Sequence, residues 1–341
     1  MKRGRRRGAA WMIGGVAAAL LLAACLPAPP LGPVAAQPVS APKYPIIGDP
    51  TVLADGGSSY VFGSNSFARL PIAKVDSLDR TYSVGEWFAA TKEGMPTRPA
   101  WAVDDTLWAP TVAKFGGRYV LFFAANRIGA PDPANRQCIG RAFASAPDGP
   151  YVPDAAPFSC GLDGWRGALD PAIFFVPDGR IFLYAAFSGT PNPIYAIALT
   201  PTGDPTGWRA DGQAGYWGLP VLGKNFPWEG RFIENPSMTY DPTTRTYLLA
   251  YSAGDWWTPG YSTGLARCST PLGLCTSNPN GPWLASGNGR TGVGGLSFFT
   301  APDGSTKAIY ASFAAGQEGQ DQTRAGSVAS VALGTAPALS P

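Results

Sequence analysis

One layout recurs five times along the chain: GDPTVLADGGSSYVFGS from 48, WAPTVAKFGGRYVLFFA from 108, LDPAIFFVPDGRIFLYAA from 169, ENPSMTYDPTTRTYLLAYS from 234 and GGLSFFTAPDGSTKAIYAS from 294. Each copy has a short apolar strand, a turn rich in Gly, Asp, Pro or Thr, and a second apolar strand, which is the signature of a β-hairpin. Aligning Pro50, Pro110, Pro171, Pro236 and Leu296 gives intervals of 60, 61, 65 and 60 residues. A unit of that size, opened by a hairpin, suits one four-stranded propeller blade with long loops. Five of them account for the chain from Tyr44 to the end. A sandwich or jelly roll has no reason to repeat one hairpin at constant spacing. The fold class read from the sequence is therefore all-β, a five-bladed β-propeller. The 43 Gly, 35 Pro and 12% aromatic residues, against only 14% charged, agree with many turns joining short apolar strands.

In a propeller the first strand of each blade lines the central axis, so equivalent residues of the five copies meet at one end of the channel. Immediately before the aligned Pro stand Asp49 and Asp170, and Glu234 stands two before Pro236. The other two copies offer Trp108-Ala109 and Gly294-Gly295. Taken singly, an Asp-Pro is a turn residue. Three acids at matching positions of a repeat instead predict a cluster of carboxylates in a pocket otherwise lined by an aromatic side chain and glycine. The chain has no histidine, which removes Ser-His-Asp and Cys-His relays, His-ligated zinc and an imidazole base. Chemistry falls to carboxylates, Tyr, Lys or a bound ion. Crowded carboxylates cannot all ionise cheaply, so at least one keeps its proton near neutral pH.

These residues resemble the five-bladed propeller glycosidases of the arabinanase, arabinofuranosidase and xylosidase type, glycoside hydrolase family 43 and its relatives. The matching pieces are Gly48-Asp49-Pro50, Leu107-Trp108-Ala109-Pro110, Leu169-Asp170-Pro171 with the turn Asp178-Gly179, Glu234-Asn235-Pro236-Ser237, and the stretch from Tyr251 to Cys275. The resemblance implies Asp49 as the base that activates water, Glu234 as the acid that protonates the leaving oxygen, and Asp170 as the residue that orients the acid. It further implies hydrolysis with inversion of a pentose-containing polysaccharide, an arabinan, by a monomer that requires no cofactor. Two departures stand out. The family usually carries a His in the fifth blade that helps hold a central cation, and here Leu296, within GVGGLSFF, stands at that place, leaving main-chain or Asp oxygens for a structural Ca²⁺. Asn235 follows the acid where the family more often has Gly or Ala. The resemblance leaves open a non-catalytic carbohydrate-binding lipoprotein, and a retaining hydrolase or transglycosylase.

Sugar faces pack on aromatic rings, so Trp108, Trp256 and Trp257 are candidate substrate platforms, with Asn235 beside them. Asn126, Arg127, Arg231, Phe232 and Arg267 are further candidates for the cleft wall, among which spacing does not decide. At the N-terminus, Lys2, Arg3, Arg5, Arg6 and Arg7 precede an apolar run ending Leu22-Ala23-Ala24-Cys25, an export signal closing on a lipobox whose Cys25 is the lipidation site. Removing it takes five positive charges from a net +3, leaving 3 − 5 = −2, so no nucleic-acid partner is expected. The expected membrane link is the lipid alone, at the outer face of the cytoplasmic membrane, unless the protein is secreted or the segment stays as an uncleaved anchor. Residues 26–43 read as a Pro/Ala-rich tether and 44–341 as the propeller. Four further cysteines in an exported chain predict two disulfides, of three connectivities. The sequence-local pairs, Cys138 with Cys160 and Cys268 with Cys275, are the simplest. The second is expected to rigidify the segment that carries Trp256 and Trp257.

Overall fold

Each repeat forms one antiparallel sheet whose strands follow one another in chain order. The computed structural model describes residues 36–64, 67–130, 136–161, 167–188, 192–206, 219–320 and 323–341. Blade I comprises Gly48–Asp55, Ser58–Ser64, Pro71–Val75 and Thr91–Glu93; blade II comprises Ala102–Phe115, Arg118–Arg127, Gln137–Ala144 and Val152–Pro153. Blade III comprises Ala168–Phe175, Ile181–Phe187, Ile194–Leu199 and Leu219–Leu222; blade IV comprises Ile233–Asp241, Thr246–Ala253, Ser262–Thr270 and Gly273–Ser277. Blade V has Arg290–Thr300, Thr306–Ala314 and Ala325–Ala332, with Ala338–Ser340 outermost. The first strands touch one another in a closed ring around the axis, which makes the expected five-bladed propeller.

Closure uses both ends of the chain. Tyr44 and Pro45 pair with Gly326 and Ala325, while Leu339 pairs with Val331, so two short strands share the outer edge of blade V. Among the described residues, packing is already present from Ala36, ahead of Tyr44. Ala36 and Leu284 exchange backbone contacts, Ser40 Oγ donates to Val328 O, and Val39 joins the apolar cluster between blades IV and V. The segment read as tether is extended and poor in charge, and from residue 36 onward that lets it lie as a strap against the sheet edge. The proposed signal, Cys25 and residues 26–35 lie outside the described residues.

Five apolar clusters fill the five clefts between neighbouring blades. Glycine allows the tightest of these contacts. Gly264 faces Tyr251 and Gly140 faces Phe123 across their strand pairs. A Cβ at either glycine would come within 2.3 Å of the facing ring, so a large ring in one strand lies flat over a residue with no side chain in the next.

The feature that positions the site is a bulge at the same point of every innermost strand. The ladder skips between Gly48 and Thr51, Trp108 and Thr111, Leu169 and Ala172, Glu234 and Ser237, and Gly294 and Ser297. The first skipped residue has positive φ in every blade: Asp49 at 41°, Ala109 at 48°, Asp170 at 55°, Asn235 at 44° and Gly295 at 61°. Asp, Asn and Gly tolerate that region best, and four of the five positions use them. The second skipped residue is Pro in blades I to IV. A bulged residue is unpaired, so proline's missing N–H costs no ladder bond there.

Candidate active site

A bulge re-aims the side chain of its extra residue, and five of them around one axis aim five positions at one mouth. The channel they open into is a cavity of about 350 Å³, lined at this end by Asp49, Ala109, Asp170, Asn235 and Gly295. Three of the bulged N–H groups donate to side chains of the preceding blade. Ala109 N donates to Ser64 Oγ at 2.8 Å, Gly295 N to Ser252 Oγ at 2.8 Å, and Asn235 N to Asp170 Oδ2 at 3.0 Å. Ser64 and Ser252 hold matching places, each opposite the residue before its blade's bulge.

The structure brings Asp49, Asp170 and Glu234 together. Asp49 accepts from Ser64 Oγ at 3.0 Å and pairs with Arg324, Nη1 to Oδ1 at 3.2 Å. Asp170 is buried, with 4% of its surface exposed, and grips the backbone N–H of the residue right after Glu234. Its carboxyl is held well above the ordinary carboxylate range, first by burial and then by the charges of Glu234 and Asp49. Glu234 is pushed up to about 7, again first by burial, with Asp49 and Asp255 adding to the rise; Arg324 opposes it, as does the Tyr261 hydroxyl whenever it donates its own proton to the carboxylate. Near neutral pH the site therefore offers a carboxylic acid, Glu234, beside an aspartate ion-paired to a guanidinium.

Two residues of this site were not legible in the repeat. Tyr261, 1% exposed, places its Oη 2.7 Å from Glu234 Oε1 and 2.7 Å from Asn235 Oδ1. Arg324, 6% exposed, spends Nη1 on Asp49, and its Nε and Nη2 are buried with no partner among the described residues. Each stands one residue before the third strand of its blade, Ser262–Thr270 or Ala325–Ala332. That shared position is the signal that could have found them, but the aligned hairpins cover only first and second strands.

The other expected residues fall as follows. Trp108 is half-buried, one residue before the bulge and so in the place that Glu234 takes in blade IV. Trp256 stacks on Phe313, with ring centroids 6.5 Å apart, and the Arg324 guanidinium lies 5.7 Å from the Phe313 centroid. Trp257 is 46% exposed and packs edge-on against Trp256. The Asn235 carboxamide is engaged within the site, its Nδ2 3.4 Å from Asp49 Oδ1. Arg267 is not a cleft residue. It is buried against Asp241 at 3.5 Å and donates to Gly334 O at 2.7 Å, tying blade IV to the segment before the last strand.

Both sequence-local disulfides form, Cys138–Cys160 and Cys268–Cys275. The second joins facing residues of two adjacent strands, at the far end of the blade from the Trp256–Trp257 loop, because Cys268 faces Tyr247 while Ser262 faces Ala253. It does not brace that loop as expected.

Leu296 does not face the channel either. It is buried in the apolar cluster between blades IV and V, and Gly295 takes the channel-facing place. A Cβ at Gly295 would lie 3.3 Å from Asp49 Oδ1 and 3.5 Å from Arg324 Nη2. Among the described residues no group of three or more Cys, Asp or Glu is placed to hold a cation, and the fixed charge of Arg324 stands beside Asp49.

Comparison with known proteins places this geometry. The family model of glycosyl hydrolases family 43 matches residues 35–333. The chain is 30% identical over 266 residues to the extracellular endo-alpha-(1->5)-L-arabinanase 2 of Bacillus subtilis (strain 168), covering 71% of this chain and 52% of that protein. It is 27% identical over 268 residues to the extracellular endo-alpha-(1->5)-L-arabinanase of Thermotoga petrophila, covering 71% and 51%. The chain thus spans about half the length of the curated relatives it matches. Among solved structures, a thermostable family-43 glycoside hydrolase superposes with a TM-score of 0.71 at 20% identity, covering 87% of this chain and 93% of that one. An exo-1,5-alpha-L-arabinanase from a bovine ruminal metagenomic library gives 0.65 at 16% identity, covering 88% and 98%. At those identities the superpositions speak for the fold.

Proposed function

The chain belongs to glycosyl hydrolases family 43, and from that premise we propose that it hydrolyses the glycosidic bonds of an arabinan with inversion at the anomeric carbon. The observation that carries the reading is the pair of unlike carboxyls: Glu234 held near neutral pH with a proton to give, and Asp49 held by Arg324 and Ser64. Glu234 protonates the leaving oxygen while Asp49 takes a proton from the attacking water on the opposite face of the sugar. Asp170 fixes the acid's strand through the Asn235 N–H. The Trp256–Trp257 pair and Trp108 supply apolar faces for the sugar ring. Both curated arabinanases named above support arabinan over xylan as the substrate.

Two disulfides and the extracellular relatives support action outside the cytoplasm; the proposal further takes the protein as a monomer acting on a polysaccharide, with Cys25 as its lipid-bearing residue. The test is release of reducing sugar from arabinan, xylan and galactan, with proton NMR of the first product formed. Release from arabinan with the inverted anomer appearing first is expected. Release from none of the three, or a product that retains configuration, overturns the reading.

A further inference from the structure

The Tyr261 hydroxyl has two oxygen neighbours at 2.7 Å, Glu234 Oε1 and Asn235 Oδ1, and only one proton of its own. With an ionised Glu234, one of those contacts would bring lone pairs together at hydrogen-bond distance with nothing between them. Reversing the Asn235 carboxamide gives no relief, because its oxygen would then face Asp49 Oδ1, where Nδ2 now stands at 3.4 Å. Both short contacts are satisfied together in one arrangement: Glu234 donates its proton to Tyr261 Oη, and Tyr261 donates onward to Asn235 Oδ1. Tyr261 is closed off from solvent, so water cannot supply a missing partner.

We propose that Asn235 and Tyr261 are a positioning pair that keeps the catalytic acid protonated between turnovers, with Asn235 acting through the tyrosine and not on the sugar. The inference rests on Glu234 being the acid of the proposed reaction. Asn235 is suited to the task by its place. It is the bulged residue of blade IV, at a φ of 44° that Asn tolerates, and its backbone N–H is already spent on Asp170. Its carboxamide is therefore free to reach across from the acid's hydroxyl partner to the base. A Gly or Ala there would leave Tyr261 without its second acceptor. The hydroxyl would then turn to the Glu234 carboxylate and stabilise the charged form. The charged and titratable groups around Glu234 are Asp49 from blade I, Asp170 from blade III, Asp255 and Tyr261 from the loop between the second and third strands of blade IV, and Arg324 from blade V.

The test compares pH profiles of kcat/KM for Asn235→Gly and Asn235→Asp, reading the upper limb alone because Asn235 also approaches Asp49. Glycine fits the left-handed backbone without strain, so this variant folds. Removing the acceptor is expected to move the upper limb down by about one pH unit, the scale of a hydrogen bond to a charged group. Asn235→Asp places a negative charge between the two carboxyls and is expected to move the limb up. In a Tyr261→Phe background, Asn235→Gly is expected to produce no further shift, since the carboxamide reaches the acid only through the hydroxyl. A carboxyl infrared band that titrates near neutral pH and is missing in Glu234→Gln gives the same shifts without substrate. It still reports on the pair if Glu234 proves not to be the acid. An upper limb and an infrared band that both stay in place in Asn235→Gly overturn the inference. A raised KM for arabinan with no change in either also overturns it, and assigns Asn235 to the sugar.

Discussion

Asp49 in blade I and Gly295 in blade V hold the same place in the propeller, and only one of them carries chemistry. Both are the first skipped residue of the innermost strand, both have positive φ, and both line the same mouth. Asp49 brings a carboxylate. Gly295 brings nothing, and Arg324, one residue before the third strand of its own blade, lies alongside the space a side chain would enter. The repeat therefore builds five equal backbone stations, and the site arises from inequality among them. Acid residues take two stations and the place beside a third, and an emptied station leaves room for a cation from elsewhere in the blade. At three bulges the strained backbone is held by the neighbouring blade: Ser64 holds Ala109, Asp170 holds Asn235 and Ser252 holds Gly295.

The sharpest break of that inequality is Glu234→Gln, which keeps the shape and removes the proton. Hydrolysis of arabinan is expected to fall by about 100-fold or more, with a smaller loss on aryl glycosides whose leaving group needs little protonation. Equal loss on both substrates would show that Glu234 is not the acid. The same variant should change stability in a defined pH window. Glu234 is raised from 4.5 to about 7 on folding, so its contribution is fully present below 4.5 and is lost as pH rises through about 7. A shift of that size corresponds to at most about 3 kcal/mol. Denaturant midpoints should show the wild type losing stability between pH 4.5 and 8 by more than Glu234→Gln does. Parallel curves would contradict the raised acid.

A smaller effect is expected from making the empty station like the others. Gly295→Ala adds a Cβ 3.2 Å from Asp49 Cα at a φ of 61°, with a cost of about 1–2 kcal/mol from the left-handed backbone. Activity should fall with stability, because the nearest atoms belong to Asp49 and Arg324. An unchanged kcat would mean that the spacing of these two is not set by the missing side chain. The smallest effect on catalysis is expected far from the mouth. The double change Cys268→Ser with Cys275→Ser opens a loop of sequence separation 7, whose closure contributes about 2 kcal/mol. The melting temperature should drop while kcat on arabinan stays within about twofold, since the bridge lies at the end of blade IV away from Trp256. A large loss of kcat at full folding would tie the far end of the blade to the site.

The blade number, the shared mouth and the acids Asp49, Asp170 and Glu234 were legible because a propeller repeats its first hairpin, and equivalent residues of a repeat meet at the axis; the bulge that aims them was not. Tyr261 and Arg324 were not, although they touch the same carboxyls. They precede the third strands of blades IV and V, outside the aligned hairpins, and their importance comes from where the chain returns in space. The contacts of the strap from Ala36 were not legible for a related reason. Its composition is that of a linker, and what orders it is the open edge of blade V, whose strand lies near the other end of the chain.

Local pattern was enough for whatever a single hairpin states about itself: strand, turn and strand, with cysteines paired to their nearest partners along the chain. Pairings between distant segments were settled only by closure of the ring. Closure set Arg324 against Asp49 across 275 residues of chain, turned Leu296 into the core while Gly295 faced the channel, and raised Glu234 to about 7 by burying it among charges from other blades. Burial and electrostatic coupling depend on distance in space, and a sequence carries only distance along the chain.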